Sequence, residues 1–248
     1  MDPAALLELF DAAFDAQRAA LAELRGSARR ARTDRPGQYA LDLVADEAIC
    51  AVLAPAGVEI VSEESGRTGP GDAEVTVVVV PVDGSTNCSR GIPYWAISLC
   101  AVDRDGLLCA LVANGATGER NTAARGAGAW RDGECLVAAT TTQLDRSVVA
   151  VSQLPPRHWG WRQFRALGSV ALGLCDLAAG GIDAWVELED AVAPWDYLGG
   201  MLVAREAGAL VTDAKDRELV VTDVDVQRQL RAAATPELLA QIDVAVGS

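Results

Sequence analysis

The chain has 248 residues, half of them apolar, and a formal net charge of −14 at pH 7. That is enough apolar material for a substantial core, while the acidic surface argues against binding nucleic acid or an anionic membrane, both of which call for basic faces. Met1-Asp2-Pro3 has no basic leader, no apolar run approaches the ~20 residues of a membrane span, and Cys50, Cys88, Cys100, Cys109, Cys135 and Cys175 are scattered without CxxC spacing. The expectation is a cytoplasmic protein with reduced thiols.

Residues 6–32 are rich in Ala, Leu, Glu and Arg at helical spacing and predict an opening helix. Pro36 and Gly37 make 33–38 a loop, and 46–53 reads as a second helix. Strands follow over 58–62, 75–80, 96–102 and 107–114, with turns at Asp105-Gly106 and Thr117-Gly118. The second half alternates: a strand over 148–152, a helix over 169–179, a strand over 184–188 and a helix over 197–207. Turn-bounded strands alternating with helices place the chain in the α/β (α+β) class.

The stretch 75–101, VTVVVVPVDGSTNCSRGIPYWAISLCA, says most about function. A valine run with little alternation is a strand buried on both faces, and Pro81, which cannot donate to a ladder, is expected to stop it. Asp83-Gly84-Ser85-Thr86-Asn87 then lies at the C-terminal end of a buried strand, where open α/β sheets bind ligands and turn N–H groups hold anions. Asp-Gly-Ser is also ordinary turn chemistry. Two more segments carry acids. Ile60-Val61-Ser62-Glu63-Glu64-Ser65-Gly66 ends an apolar run in paired carboxylates, and Pro194-Trp195-Asp196 opens an Ala/Leu/Val-rich stretch. Acids at strand ends and a helix start, with no competing His or Cys cluster, suit hard cations such as Mg²⁺.

Glu-Glu-Ser, then Pro-x-Asp-Gly-Ser, then Trp-Asp, in that order and at these long spacings, resembles the inositol monophosphatase family, the magnesium-dependent, typically lithium-sensitive sugar and inositol phosphatases. Asn114–Glu119, Arg165–Ala171 and Asp183-Ala184-Trp185-Val186-Glu187 add to the resemblance, which spans 39–213. It implies a layered α-β-α-β-α sandwich in one unit over 1–248, with a metal-binding half to about residue 140 and an α/β half over 141–248. It implies a homodimer and a small phosphorylated polyol or sugar as substrate. Glu63, Asp83 and Asp196 match metal ligands, and Glu63 would also orient the water. Ser85, where the family often has Thr, would position the water, with Gly84 and Ser85 amides receiving phosphate. Asp46 ends Asp42-Leu43-Val44-Ala45-Asp46 as a further acid. Glu187 would accept a substrate hydroxyl, and Gly168, Ser169 and Ala171 would line the substrate side. Each also has a plain alternative: loop acid or N-cap for the carboxylates, turn residue for Ser85, helix start for 168–171.

One position departs from the family pattern Asp-Pro-x-Asp-Gly-Thr, whose first Asp bridges two metal ions. Here it is Val80, and Glu74 is on the order of 20 Å away along an extended strand. The expected function is hydrolysis of a small polyol or sugar phosphate with weakened Mg²⁺ binding. The alternative is a repurposed or phosphatase-inactive member using the same pocket for another small-molecule reaction or for binding, in specialised metabolism.

Overall fold

A computed structural model describes residues 1–247. Helix α1 (Pro3–Glu23) starts on Pro3, whose missing N–H is harmless in the first turn, and buries Leu6, Phe10, Ala13, Phe14, Gln17 and Leu21 on one face. It stops short of the predicted residue 32. Gly26 adopts φ 55°, a left-handed conformation that ends helices, and only a single 3₁₀ turn at Ala28–Arg30 follows. Helix α2 (Ala40–Leu53) begins well before the predicted residue 46, because the Asp42 carboxylate accepts the Tyr39 N–H at 2.9 Å and caps the first turn.

The first sheet holds eight strands in the order β2-β1-β3-β4-β5-β6-β7-β8. They are β1 (Glu59–Ser62), β2 (Gly66–Thr68), β3 (Thr76–Asp83), β4 (Ala96–Asp103), β5 (Gly106–Asn114), β6 (Arg120–Ala124), β7 (Gly128–Arg131) and β8 (Glu134–Cys135). Only β1 and β3 pair parallel. Pro81 does not end β3 as expected. The strand runs on to Asp83, and the register against β4 shifts between Val80 and Asp83, a bulge where no proline N–H is needed. The turn after Asp83 opens α3 (Ser85–Arg90), and the hairpins β6–β8 extend the sheet where sequence patterning was silent. Their Ala, Gly and Arg content carries little strand preference of its own.

The second sheet has the order β10-β9-β11-β13-β12, built from β9 (Val148–Val151), β10 (Gln163–Arg165), β11 (Ala184–Val186), β12 (Leu210–Asp213) and β13 (Leu230–Ala233). Helices α4 (Val170–Ala178) and α5 (Pro194–Glu206) lie between the sheets and pack into the central core against both, with Trp185 and Tyr197 its largest buried side chains. Pro194 starts α5 before the predicted residue 197, again as a first-turn proline. Helices α1 and α2 cover the outer face of the first sheet, and α6 (Pro236–Gly247) covers the outer face of the second. The layers therefore run α-β-α-β-α, as expected. The Gly199-Gly200 pair lets α5 fit: a Cβ at Gly199 would meet Ser98 Oγ at 2.4 Å, and one at Gly200 would meet Leu174 Cβ at 2.8 Å. The six cysteines are free thiols, and no helix among the described residues is long and apolar enough to cross a membrane.

Candidate active site

The end of β3, the starts of α2, α4 and α5, and the segments after β1 and β11 place Glu63, Asp83, Asp196 and Glu187 within one another's electrostatic reach. Gly84 makes the turn possible. Its φ is 88°, and a Cβ there would sit 2.8 Å from Gly168 O and 3.2 Å from Tyr94 O. Asn87 Nδ2 donates to Tyr94 O at 2.7 Å and to Leu167 O at 2.8 Å, tying α3 to the loop that leads into α4. Asp83 is thereby held at the α4 N-terminus. Its Oδ2 accepts from Ser169 Oγ and from Ala171 N, both at 2.7 Å, and Ser169 Oγ accepts from Leu172 N at 3.3 Å. A carboxylate satisfies orphan helix N–H groups well in this position.

Asp196, in the first turn of α5, likewise accepts the Ala193 N–H through Oδ2 at 2.7 Å. Glu63 follows β1, and its N–H continues the parallel ladder to Val79 O at 3.2 Å. The acids share one electrostatic environment. Burial pushes Glu63 up to about 8, and the charges of Glu64, Asp42 and Asp83 add to the effect against Arg35. Burial raises Asp83 to about 6 despite the Ser169 and Ala171 donors. Asp196 is held well above the ordinary carboxylate range by burial, then by Glu63 and Asp83. Acids raised first by burial and then by neighbouring carboxylates form a site short of positive charge.

Glu187 is fully buried just past β11, where Trp185 Nε1 donates to Oε1 at 3.0 Å and Gln153 Nε2 to Oε2 at 3.2 Å. With Asp83, Gly168, Ser169 and Asp196 it lines a cleft of about 270 Å³. Ala171, expected on the substrate side, does not line that cleft and instead gives its N–H to Asp83. Glu63, Gly84 and Ser85 stand outside the cleft wall as well. Ser85 Oγ donates to Val82 O at 2.8 Å.

Asp46 and Asp42 sort differently from the sequence expectation. Asp46 accepts from Ser62 Oγ and Cys50 Sγ. The α2 acid beside Ser85 is Asp42, raised by burial and lowered by Ser85 and the Tyr39 N–H. Its Oδ1 is buried without a hydrogen-bond partner among the described residues. A helix start expected at residue 46 hides this role, and the Tyr39–Asp42 capping spacing is the sequence signal that reveals it.

Val80 is 1% exposed and lies opposite Ser98 across β3 and β4. Val77, Val78, Val79 and Val82 each join an apolar cluster, and Val80 joins none. Ser98 Oγ is buried and unpartnered among the described residues. The donor set of carboxylates fits a hard divalent cation in chemistry and charge, and the orphaned Asp42 Oδ1 is a further oxygen at the same site. Three ligating side chains nevertheless do not converge: among the described residues no group of three His, Cys, Asp or Glu is arranged to hold a metal ion.

A sequence profile of the inositol monophosphatase family matches residues 5–244. A fructose-1,6-bisphosphatase/inositol-1-monophosphatase of Archaeoglobus fulgidus is 34% identical over 205 residues, covering 81% of this chain and 79% of that protein. Nus factor SuhB of Vibrio cholerae is 38% identical over 168 residues, 62% of each chain. Among solved structures, a hypothetical protein from Pyrococcus horikoshii with similarities for inositol-1 monophosphatase matches with a TM-score of 0.89 at 25% identity, over 98% of this chain and 99% of that one.

Proposed function

The chain belongs to the inositol monophosphatase family, phosphatases that are generally metal-dependent, and from that premise we propose that it hydrolyses a small polyol or sugar phosphate monoester with Mg²⁺. The observation that carries this reading is the burial of Glu63, Asp83 and Asp196 within one another's electrostatic reach, with Asp83 and Asp196 in the wall of the Glu187 cleft and Asp83 tied to the α4 N-terminus. To hold the cation these three carboxylates would have to draw closer together than they stand here, Asp83 and Asp196 sharing themselves with the amides they already accept. A bound Mg²⁺ supplies charge neutralisation on the phosphoryl oxygens and a more acidic water.

The remaining work falls to the chain's own groups. The Gly84 and Ser85 amides meet the phosphate oxygens. Asp42 and Ser85 hold the attacking water, with the unpartnered Asp42 Oδ1 as the proton acceptor. Glu187, fixed by Trp185 and Gln153, takes a substrate hydroxyl at the cleft wall. Val80, at the place of a bridging Asp, weakens the metal site, since loss of a supporting partner alone commonly costs ~10–100-fold.

A second reading, a pocket repurposed for another small-molecule reaction or for binding, is favoured by the failure of three acids to converge among the described residues. Phosphate release from a panel of phosphorylated polyols and sugars separates the two. The expected result is release that requires Mg²⁺ and falls at least ~10–100-fold in Asp83→Asn. A folded protein that releases no phosphate at any Mg²⁺ concentration would establish the second reading.

A further inference from the structure

A cavity of about 1140 Å³ lies apart from the acid cleft. It lies among the C-terminal end of α1, the 3₁₀ turn that follows, the end of α3 and the loop after β5. Its wall carries Arg18, Arg25, Arg29, Arg30 and Arg90 and no Asp or Glu. The chain as a whole has a net charge of −14. Elsewhere, arginines such as Arg67, Arg120, Arg125 and Arg217 are paired with carboxylates. None of the five around the cavity forms an ion pair among the described residues.

Like charges gathered on one wall repel one another, and acids abundant enough to neutralise them are absent from it. The cluster is also partly built. Arg29 Nε donates to Cys88 O at 2.8 Å, and the Arg18 guanidinium sits 5.5 Å from the Phe14 ring centre. Ser27 and Ser89 add hydroxyls to the wall. Guanidinium forks match phosphate oxygens two at a time, and several forks around one concavity select a ligand with several such groups.

We infer that this cavity binds a small ligand carrying two or more phosphoryl groups, at a site separate from the acid cleft. The volume accommodates such a ligand, while the acidic remainder of the surface repels a long polyanion running beyond the cavity. Helix α3 links the two places. It starts on the Gly84 turn and ends at Arg90 in the cavity wall, a length of about 9 Å at ~1.5 Å per residue.

Calorimetry with inorganic tripolyphosphate on the full chain in EDTA tests this without reference to the metal-dependent reaction, so the two readings fail separately. Arg25 and Arg30 are exposed, and neither side chain has a hydrogen bond or ion pair among the described residues, so their removal spares the fold. The wild-type chain is expected to bind tripolyphosphate more tightly than orthophosphate, and Arg25→Ala/Arg30→Ala to bind it at least about tenfold more weakly, with unchanged circular dichroism and unchanged phosphatase activity in its absence. No binding to the wild-type chain, or equal binding to the double variant, would overturn the assignment. Tighter, arginine-dependent binding of single-stranded RNA than of tripolyphosphate would overturn it in favour of a nucleic-acid face.

Discussion

Replacing Val80 by Asp is expected to raise Mg²⁺-dependent phosphate release by at least ~10–100-fold, because restoring a ligand should gain more than the loss of a supporting partner costs. Val80 is buried yet belongs to no apolar cluster, so the new carboxylate does not enter one. Cross-strand neighbours hold their Cβ atoms ~4.5–5.5 Å apart, which puts the new carboxylate within reach of the unpartnered Ser98 hydroxyl. Without metal the same carboxylate should lower stability, since an acid joining Glu63, Asp83 and Asp196 is buried among like charges. Mg²⁺ should recover that loss by binding the folded state. The readouts are steady-state phosphate release and urea unfolding with and without Mg²⁺. A Val80→Asp protein that folds, binds Mg²⁺ and hydrolyses no phosphate ester would show that the pocket serves other chemistry.

The metal-free protein should lose stability as pH rises from about 4 to about 8. Glu63 is raised from 4.5 to about 8 and Asp83 from 3.8 to about 6. Both folded values lie above the unfolded ones, so in this window the folded state holds more protons and the unfolded state gains with each rise in pH. The destabilisation is absent below the unfolded values, grows through the window and levels off above about 8. Each tenfold difference in proton affinity between the folded and unfolded states corresponds to ~1.4 kcal/mol, so a fall of a few kcal/mol is expected, with the pair titrating jointly rather than as two independent acids. Urea midpoints in EDTA at pH 5 and pH 8 measure it, and saturating Mg²⁺ should flatten the difference. Equal or greater stability at pH 8 in EDTA would show that these acids do not crowd one another.

Much of the architecture was legible because burial writes itself into composition. The valine run over 75–80, the Gly-bearing turn at Asp83 and the largely apolar helices α4 and α5 each follow from local chemistry. The misses have local causes too. α1 ended at Glu23, with Leu24 extended and Gly26 left-handed beyond it, and Asp42 capped α2 ahead of the expected start, a role the reading of Asp46 as the end of the Asp42–Asp46 segment passed over. β6 to β8 lie in Ala-, Gly- and Arg-rich sequence that takes strand form only by pairing with β5. The site acids were visible as residues, but their arrangement was not. Asp196 caps its own helix locally, but the amide that engages Asp83 comes from α4, an element whose placement only long-range packing decides. The arginine cavity is the extreme case: Arg18 and Arg90 are far apart in the chain and meet only in the fold.

A crystal soaked in Mg²⁺ and phosphate tests the central claim most directly, by counting the cations at the acid cluster. The expected density is at least one Mg²⁺ held by Glu63, Asp83 and Asp196 at ~2.0–2.1 Å, with phosphate against the Gly84 and Ser85 amides. Asp83 and Asp196 left on their helix amides, with no cation between them and Glu63 at saturating Mg²⁺, would contradict it.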